Sequence, residues 1–231
     1  MTIISLFSGA GGLDLGLIQA GNNVIWANDI DADAVATYKA NINDHIIQAD
    51  IQNIDITKVP SADVVVGGFP CQGFPMANMK RDIDDERNVL YKFFYNAIKE
   101  KQPKFFIAEN VNGILSLGKG SVVKQIKADF EDAGYIVEIH KVKMADYGVP
   151  QHREMVLFIG QRKDLGTNMI FNFPNPTNSK DGKNGLPKCK SIKEAIDDLP
   201  PIGNTDEDPN NYGSAYRFVA RNYTAHRVTD P

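Results

Sequence analysis

Apolar and polar positions along the first 160 residues follow two alternating periods. Short runs rich in β-branched and aromatic residues, at 3–7, 24–29, 62–66 and 105–109, predict buried strands. Between them the apolar spacing becomes helical. Leu13, Leu17 and Ile18 share a helical face that Gly21 closes, and Asp31 stands as the amino-terminal cap of a helix over 34–41. Further helices are expected at about 88–101 and 121–133. Residues 135–142 and 155–160 read as a closing antiparallel pair. This alternation predicts an α/β fold, doubly wound, with a mostly parallel sheet covered on both faces.

After Gln161 the pattern is lost. Residues 166–190 are rich in Asn, Lys, Gly and Pro without periodicity and read as a long connection. Ser191-Ile192-Lys193-Glu194 fits a capping box opening a short helix that Pro200-Pro201 ends, and beyond it only the stretch 216–223 is notably aromatic. No internal repeat is present. The expected division is residues 1–165 and residues 166–231.

Composition narrows the function classes. With 231 residues, 42% hydrophobic and 23% charged, the chain can bury a substantial core. No apolar run approaches the ~20 residues that span a bilayer, and no signal segment precedes the first strand, so the expectation is a cytoplasmic protein without a membrane partner. Cys71 and Cys189 are too few for a disulfide framework or a four-ligand zinc site, and His45, His140, His152 and His226 lack ligand spacing. No metal is expected. The net charge of -4 is awkward for nucleic-acid binding, but between Lys141 and Lys193 ten bases face four acids. A solvated loop face is the competing reading of that segment.

Four polar clusters sit where strands end. Ser5-Leu6-Phe7-Ser8-Gly9-Ala10-Gly11-Gly12-Leu13 is a strand followed by a tight turn and a helix, the opening of a nucleoside-binding α/β fold, with Asp29 at the end of the second strand and Asp50 after the third. Its spacing departs from G-x-G-x-x-G, and Asp29 and Asp50 read equally well as caps. Pro70-Cys71-Gln72 sets a thiol in a glycine- and proline-punctuated loop; alone, Cys71 would more often be a small buried hydrophobe. Glu109-Asn110-Val111 ends an apolar strand. There a half-buried carboxyl would have a raised pKa suited to proton donation, whereas pairing with Lys or Arg would lower it. Gln151-His152-Arg153-Glu154 precedes the last strand.

In this order and spacing the four clusters resemble the DNA cytosine-5 methyltransferases, clearly over residues 3–160 and more faintly to Pro231. The resemblance implies a Rossmann-like domain that binds S-adenosylmethionine and releases S-adenosylhomocysteine, duplex DNA as substrate, and a restriction–modification setting. It assigns Cys71 as the nucleophile that adds to C6 of a flipped cytosine, Glu109 as the carboxyl at N3, and Arg153 as a contact to O2 and phosphate. It assigns Phe7, Ser8, Gly9, Gly11, Gly12, Asp29, Ile30, Asp50, Ile51 and Pro70 to the cofactor, with Asp29 on the ribose and Ile30 and Asp50 at the adenine. Phe69, through its carbonyl, and Gln72, Asn110 and Gln151 fall to the substrate.

Two positions depart from the family pattern. Met155 replaces the second of two arginines, and Pro75 stands where a serine is common in the catalytic loop, whose far end would anchor near Asp85, Glu86 and Arg87. The family's carboxyl-terminal segment has no counterpart before Pro231, and Arg217, Arg221, Tyr223 and Arg227 resemble the start of a target-recognition region. The expectation is a truncated piece, or one subunit of a split enzyme that needs a second chain and binds DNA weakly alone. A tRNA cytosine methyltransferase, a non-catalytic binding subunit and a nicotinamide oxidoreductase remain the rival readings.

Overall fold

The computed structural model describes residues 1–70, 89–169, 171–183 and 185–197. Cys71, Gln72 and Pro75, the cluster Asp85, Glu86 and Arg87, the prolines 200 and 201, and Arg217, Arg221, Tyr223 and Arg227 lie outside the described residues.

The strands are β1 (Thr2–Leu6), β2 (Asn23–Asp29), β3 (Ile46–Gln48), β4 (Val64–Gly67), β5 (Phe105–Val111), β6 (Tyr135–Lys143) and β7 (Glu154–Arg162). The helices are α1 (Gly12–Gln19), α2 (Ala32–Asn41), α3 (Val89–Lys101), α4 (Ser121–Asp132) and, beyond the first compact unit, α5 (Ile192–Ile196). All seven strands join one sheet in the order β3-β2-β1-β4-β5-β7-β6. The first five are parallel, while β7 runs antiparallel to both β5 and β6. The doubly wound, mostly parallel sheet read from the sequence is therefore present, with the closing antiparallel pair at one edge.

Both faces of the strands are apolar because each packs against helices. Ile4, Leu6, Val65, Phe106 and Ala108 share one core with Phe94 and Ile98 of α3 and Ile126 and Phe130 of α4. Ile3, Val64 and Val66 form the other with Val35 and Tyr38 of α2, joined by Leu17 and Ile18 of α1. Alternate strand residues thus serve opposite layers, as the two-residue period requires.

One expectation about α1 is corrected. Leu13 is 39% exposed, and the buried residue of the helix is Asp14, fully enclosed. Its carboxyl accepts hydrogen bonds from Ser5 Oγ at 2.6 Å and Tyr38 OH at 2.9 Å. Two hydroxyl donors stand in for the water that burial removes.

The compact unit Met1–Cys189 includes the aperiodic stretch after β7, which Thr177 and Asn178 tie back by donating to the Asp146 carbonyl. The segment from Lys190 onward is a separate unit. In it Ser191 and Glu194 form the capping box read from the sequence, each side chain accepting from the other's backbone N–H.

Gly160 of β7 lies against the ring of Phe106 so closely that a β-carbon there would overlap the carbons at the ring's edge. Phe106 is fully buried, its ring 4.4 Å from that of Phe130 and 5.2 Å from that of Tyr135. Gly160→Ala is expected to cost ~1–3 kcal/mol by overpacking. Urea denaturation of the variant measures this; a midpoint equal to that of the unaltered chain would contradict the packing.

Candidate active site

In an open parallel sheet the ligand crevice forms where neighbouring strands send their connections to opposite sides, at the strands' carboxyl ends. Here that switch point lies between β1 and β4, whose pairing ends at Leu6 opposite Gly67. The candidate residues follow directly from these two ends and from the ends of β2 and β5.

The turn after β1 is held in a conformation that side chains disfavour. Phe7 has φ of 55°, Gly9 54° and Gly11 89°, all left-handed. At Gly11 a second reason excludes a side chain, because a β-carbon would approach the Tyr38 ring to 2.7 Å. The turn is closed by backbone bonds from Ser8 N–H to the Asn28 carbonyl and from Gly11 N–H to the Ser8 carbonyl. Asp29 completes it, one carboxyl oxygen accepting from Gly9 N–H at 2.7 Å and the other from Asp31 N–H at 2.9 Å. No side chain caps α1 at Gly11, and Gly12 has open space where a β-carbon would stand.

Around this turn the other assigned residues differ in exposure. Ile30 is 63% exposed, an apolar side chain presented to solvent beside Asp29. Asp50 accepts from Gln52 N–H and so caps the short 3-10 turn Ile51–Asn53, as a cap reading anticipated. Ile51 is buried in the core that includes α3. Sequence reasoning missed Asn28, which is buried and whose amide donates to the Ala49 carbonyl at 2.7 Å, anchoring the backbone just before Asp50.

On the β4 side the chain leaves the sheet through Gly67-Gly68-Phe69-Pro70. Phe69 is buried, its ring 5.3 Å from that of Tyr91 and 5.7 Å from that of Phe94. Its carbonyl accepts from the Asn110 amide at 2.9 Å. Asn110 is itself buried, so its amide holds the backbone that precedes Cys71. Pro70 is exposed at the end of this segment.

Glu109 of β5 reaches across to this segment. A β-carbon on Gly68 would lie 2.6 Å from its Oε2, so only glycine leaves room for the carboxyl. The group is half-buried, and among the described residues nothing hydrogen-bonds it. Burial raises its pKa, and the nearby positive charge of Arg153 opposes that rise without cancelling it. Arg153 is exposed, with Nε 3.0 Å from the sulfur of Met155. Met155 is buried beneath it, opposite Val111 across β5 and β7. Glu154, next in line, is held by Lys141 at 2.8 Å and Asn112 at 3.0 Å. Gln151 is exposed, its backbone turned by a bond to the Val149 carbonyl.

The structure therefore brings together the turn, Asp29, the Phe69–Pro70 segment, Glu109 and Arg153 at the carboxyl ends of one sheet. A family model for C-5 cytosine-specific DNA methylases matches residues 1–228. The chain belongs to this family. Among its relatives, the Type II methyltransferase M.NgoFVII of Neisseria gonorrhoeae is 42% identical over 89% of the chain, and M.BsuRI of Bacillus subtilis 37% identical over 94%. This cytosine-5 methylase homologue spans 55% of the length of each of those two proteins. A solved structure assigned as a DNA modification methyltransferase of an E. coli prophage superposes with a TM-score of 0.67 at 33% identity, covering 87% of the chain and 56% of its own. An Entamoeba histolytica methyltransferase shares the fold, with a TM-score of 0.63 at 20% identity.

The raised pKa of Glu109 makes a signed prediction. The folded chain keeps this proton at pH values where the unfolded chain, with an ordinary value near 4.5, releases it. The resulting stability is complete below that value and is lost as pH rises through the folded one. Glu109→Gln is expected to remove this decline. Arg153→Gln, by deleting the charge that favours the carboxylate, is expected to move it to higher pH. Urea denaturation between pH 4 and 8 measures both, and an unchanged profile in Arg153→Gln would show that its charge does not reach Glu109.

Proposed function

We propose that the chain carries the catalytic and S-adenosylmethionine-binding part of a restriction–modification methyltransferase acting on C5 of cytosine in duplex DNA. The observation that carries this reading is the half-buried Glu109 carboxyl, protonation favoured by its surroundings, set against Gly68 two residues before Pro70-Cys71.

The residues of the turn suit a nucleoside with a charged amino-acid tail. Each carboxyl oxygen of Asp29 accepts one backbone bond and retains a second acceptor position for a ribose hydroxyl. Exposed Ile30 offers an apolar surface for a purine face. The glycines admit the ligand close to the backbone. When bound, S-adenosylmethionine supplies the methyl group on a cationic sulfur.

Cytosine C5 is a weak nucleophile until a group adds at C6. In the proposed reaction the Cys71 thiolate forms a bond to C6, and the displaced π electrons make C5 enamine-like. Glu109 donates a hydrogen bond or its proton at N3, which relieves the charge that builds on the ring. Methyl transfer to C5 is followed by loss of the C5 proton to a base and expulsion of the thiolate, restoring the C5–C6 double bond. Arg153, lying near Glu109 and free of a carboxylate partner among the described residues, is the contact to O2 or an adjacent phosphate. The base must leave the duplex stack to meet these groups. The protein acts in the cytoplasm, at the nucleoid when on DNA, and a second chain would supply any recognition elements that this one lacks.

Trapping tests this directly. The chain, alone and with the carboxyl-terminal half of a relative added, is incubated with S-adenosylmethionine and duplex DNA containing 5-fluorocytosine, and with tRNA carrying the same base. A covalent DNA adduct that Cys71→Ser abolishes is expected, because fluorine blocks the final elimination. An adduct with tRNA only would move the substrate to RNA, and none under any condition would overturn catalysis by this chain. Gly68→Ala is expected to reduce trapping at least tenfold while changing stability by less than about 1 kcal/mol, since the side chain it displaces is the flexible end of Glu109. Equal losses in both measurements would assign Gly68 to folding alone.

A further inference from the structure

Asp14 is a fully buried carboxyl that takes no part in the proposed chemistry. It lies in the first turn of α1, directly beneath the loop that the cofactor reading requires. Its two oxygens collect two different elements: Oδ1 accepts from Ser5 of β1 at 2.6 Å and Oδ2 from Tyr38 of α2 at 2.9 Å. Ser5 lies on the same face of β1 as Ile3, the face toward α1 and α2, which explains a serine in an otherwise apolar strand.

Both partners continue into the turn. Ser8 Oγ lies 2.9 Å from Ser5 Oγ, and Asn28 N–H donates to Ser8 Oγ at 3.3 Å, so one arm runs from Asp14 through Ser5 to the middle of the turn and on to β2. The other arm is steric. With Ile42, the Tyr38 ring occupies the space that a side chain on Gly11 would need, and the hydroxyl bond to Asp14 holds the ring there, beside the backbone that begins α1. The Tyr38 oxygen also meets His45 Nε2 at 2.8 Å; with its own proton directed at Asp14, it accepts from that nitrogen. The turn between these arms contains three left-handed residues, Phe7, Gly9 and Gly11; glycine adopts this conformation freely, whereas for Phe7 it must be held by the surrounding structure.

We propose that Asp14 is a positioning residue for the cofactor turn: by holding Ser5 and Tyr38 it fixes Ser8 and Gly11, and so the course of the backbone between Phe7 and Gly12, without touching the ligand itself. The proposal rests on the reading of that turn as the S-adenosylmethionine site, and it accounts for an acid where α1 would otherwise bury a leucine. A carboxyl is suited to this task because a single side chain can accept from two hydroxyls on opposite sides.

The test separates positioning from folding. Asp14→Asn keeps the shape but replaces one acceptor with a donor; Tyr38→Phe and Ser5→Ala each remove one arm. On the full chain, S-adenosylhomocysteine affinity is measured by calorimetry well below each variant's melting temperature, and amide hydrogen exchange is followed without ligand. The expected result is affinity weakened about tenfold or more in Asp14→Asn, with faster exchange confined to residues 7–12 while β6 and β7 keep the exchange rates of the unaltered chain. Adding Tyr38→Phe to Asp14→Asn should then weaken binding by less than the sum of the two single losses, because Asp14 and Tyr38 share one hydrogen bond.

Unchanged affinity, with exchange accelerated equally throughout the sheet, would overturn the proposal and leave Asp14 a core residue only. Should Asp14→Asn not fold, Tyr38→Phe and Ser5→Ala carry the same two readouts. If the unaltered chain binds no S-adenosylhomocysteine, the cofactor reading fails on its own, and exchange at residues 7–12 still decides whether Asp14 governs the turn.

Discussion

The pairing of β1 with β4 is the constraint on which the site depends. These strands run parallel with Leu6 opposite Gly67, and a side chain on Gly67 would collide with the Leu6 carbonyl oxygen. The backbones can therefore approach at their carboxyl ends only with glycine there. Because β1 continues to β2 on one side and β4 to β5 on the other, the two chain segments leaving this point diverge and open a crevice between them. One becomes the left-handed turn of Phe7 to Gly11, the other the Gly68–Pro70 segment against Glu109. Slipping the register by one residue would turn each strand's side chains to the opposite layer and separate these ends.

The two sides of the crevice are stiffened by different physics. On the β4 side the support is apolar: Phe69 is packed among Tyr91 and Phe94, and through Phe94 and Phe106 it is continuous with Phe130 on α4. Burying a ring of this size contributes ~1.5–3 kcal/mol, so the backbone before Cys71 is anchored in the aromatic core. On the β1 side the support is polar, built from Asp14, Ser5, Ser8, Tyr38 and Asn28. Hydrogen bonds fix direction more narrowly than apolar contact does, which suits a glycine-rich turn with few side chains to pack.

Much of this was legible in the sequence because the signals were local. The β-branched runs gave the strands and their parallel arrangement, Gly21 and Asp31 marked helix ends that the structure retains, and the Ser191 capping box formed with its expected partner. Glu109 could be read as a burial-shifted carboxyl because the apolar residues before it foretold its surroundings. What escaped were features that depend on distant contacts. The burial of Asp14 instead of Leu13 could not be read locally, because Tyr38, one of the residues that satisfy it, lies 24 positions away. The bond from the Asn110 amide to Phe69, 41 positions earlier, likewise has no local signal. The place of Asn28 depends on the β2–β3 pairing, which no local pattern announces.

The contact between Phe106 and Gly160 has a meaning for how such a chain can drift. The ring fills the volume that the missing side chain vacates, across strands β5 and β7, which pair directly at these two positions. Neither residue is free to vary by itself: a larger group at 160 needs a smaller one at 106, and a smaller one at 106 leaves a void in the middle of the aromatic core. Viable paths through sequence space must then change both within a few steps. Two positions 54 apart in the chain would behave as a single inherited unit, although neither touches the chemistry.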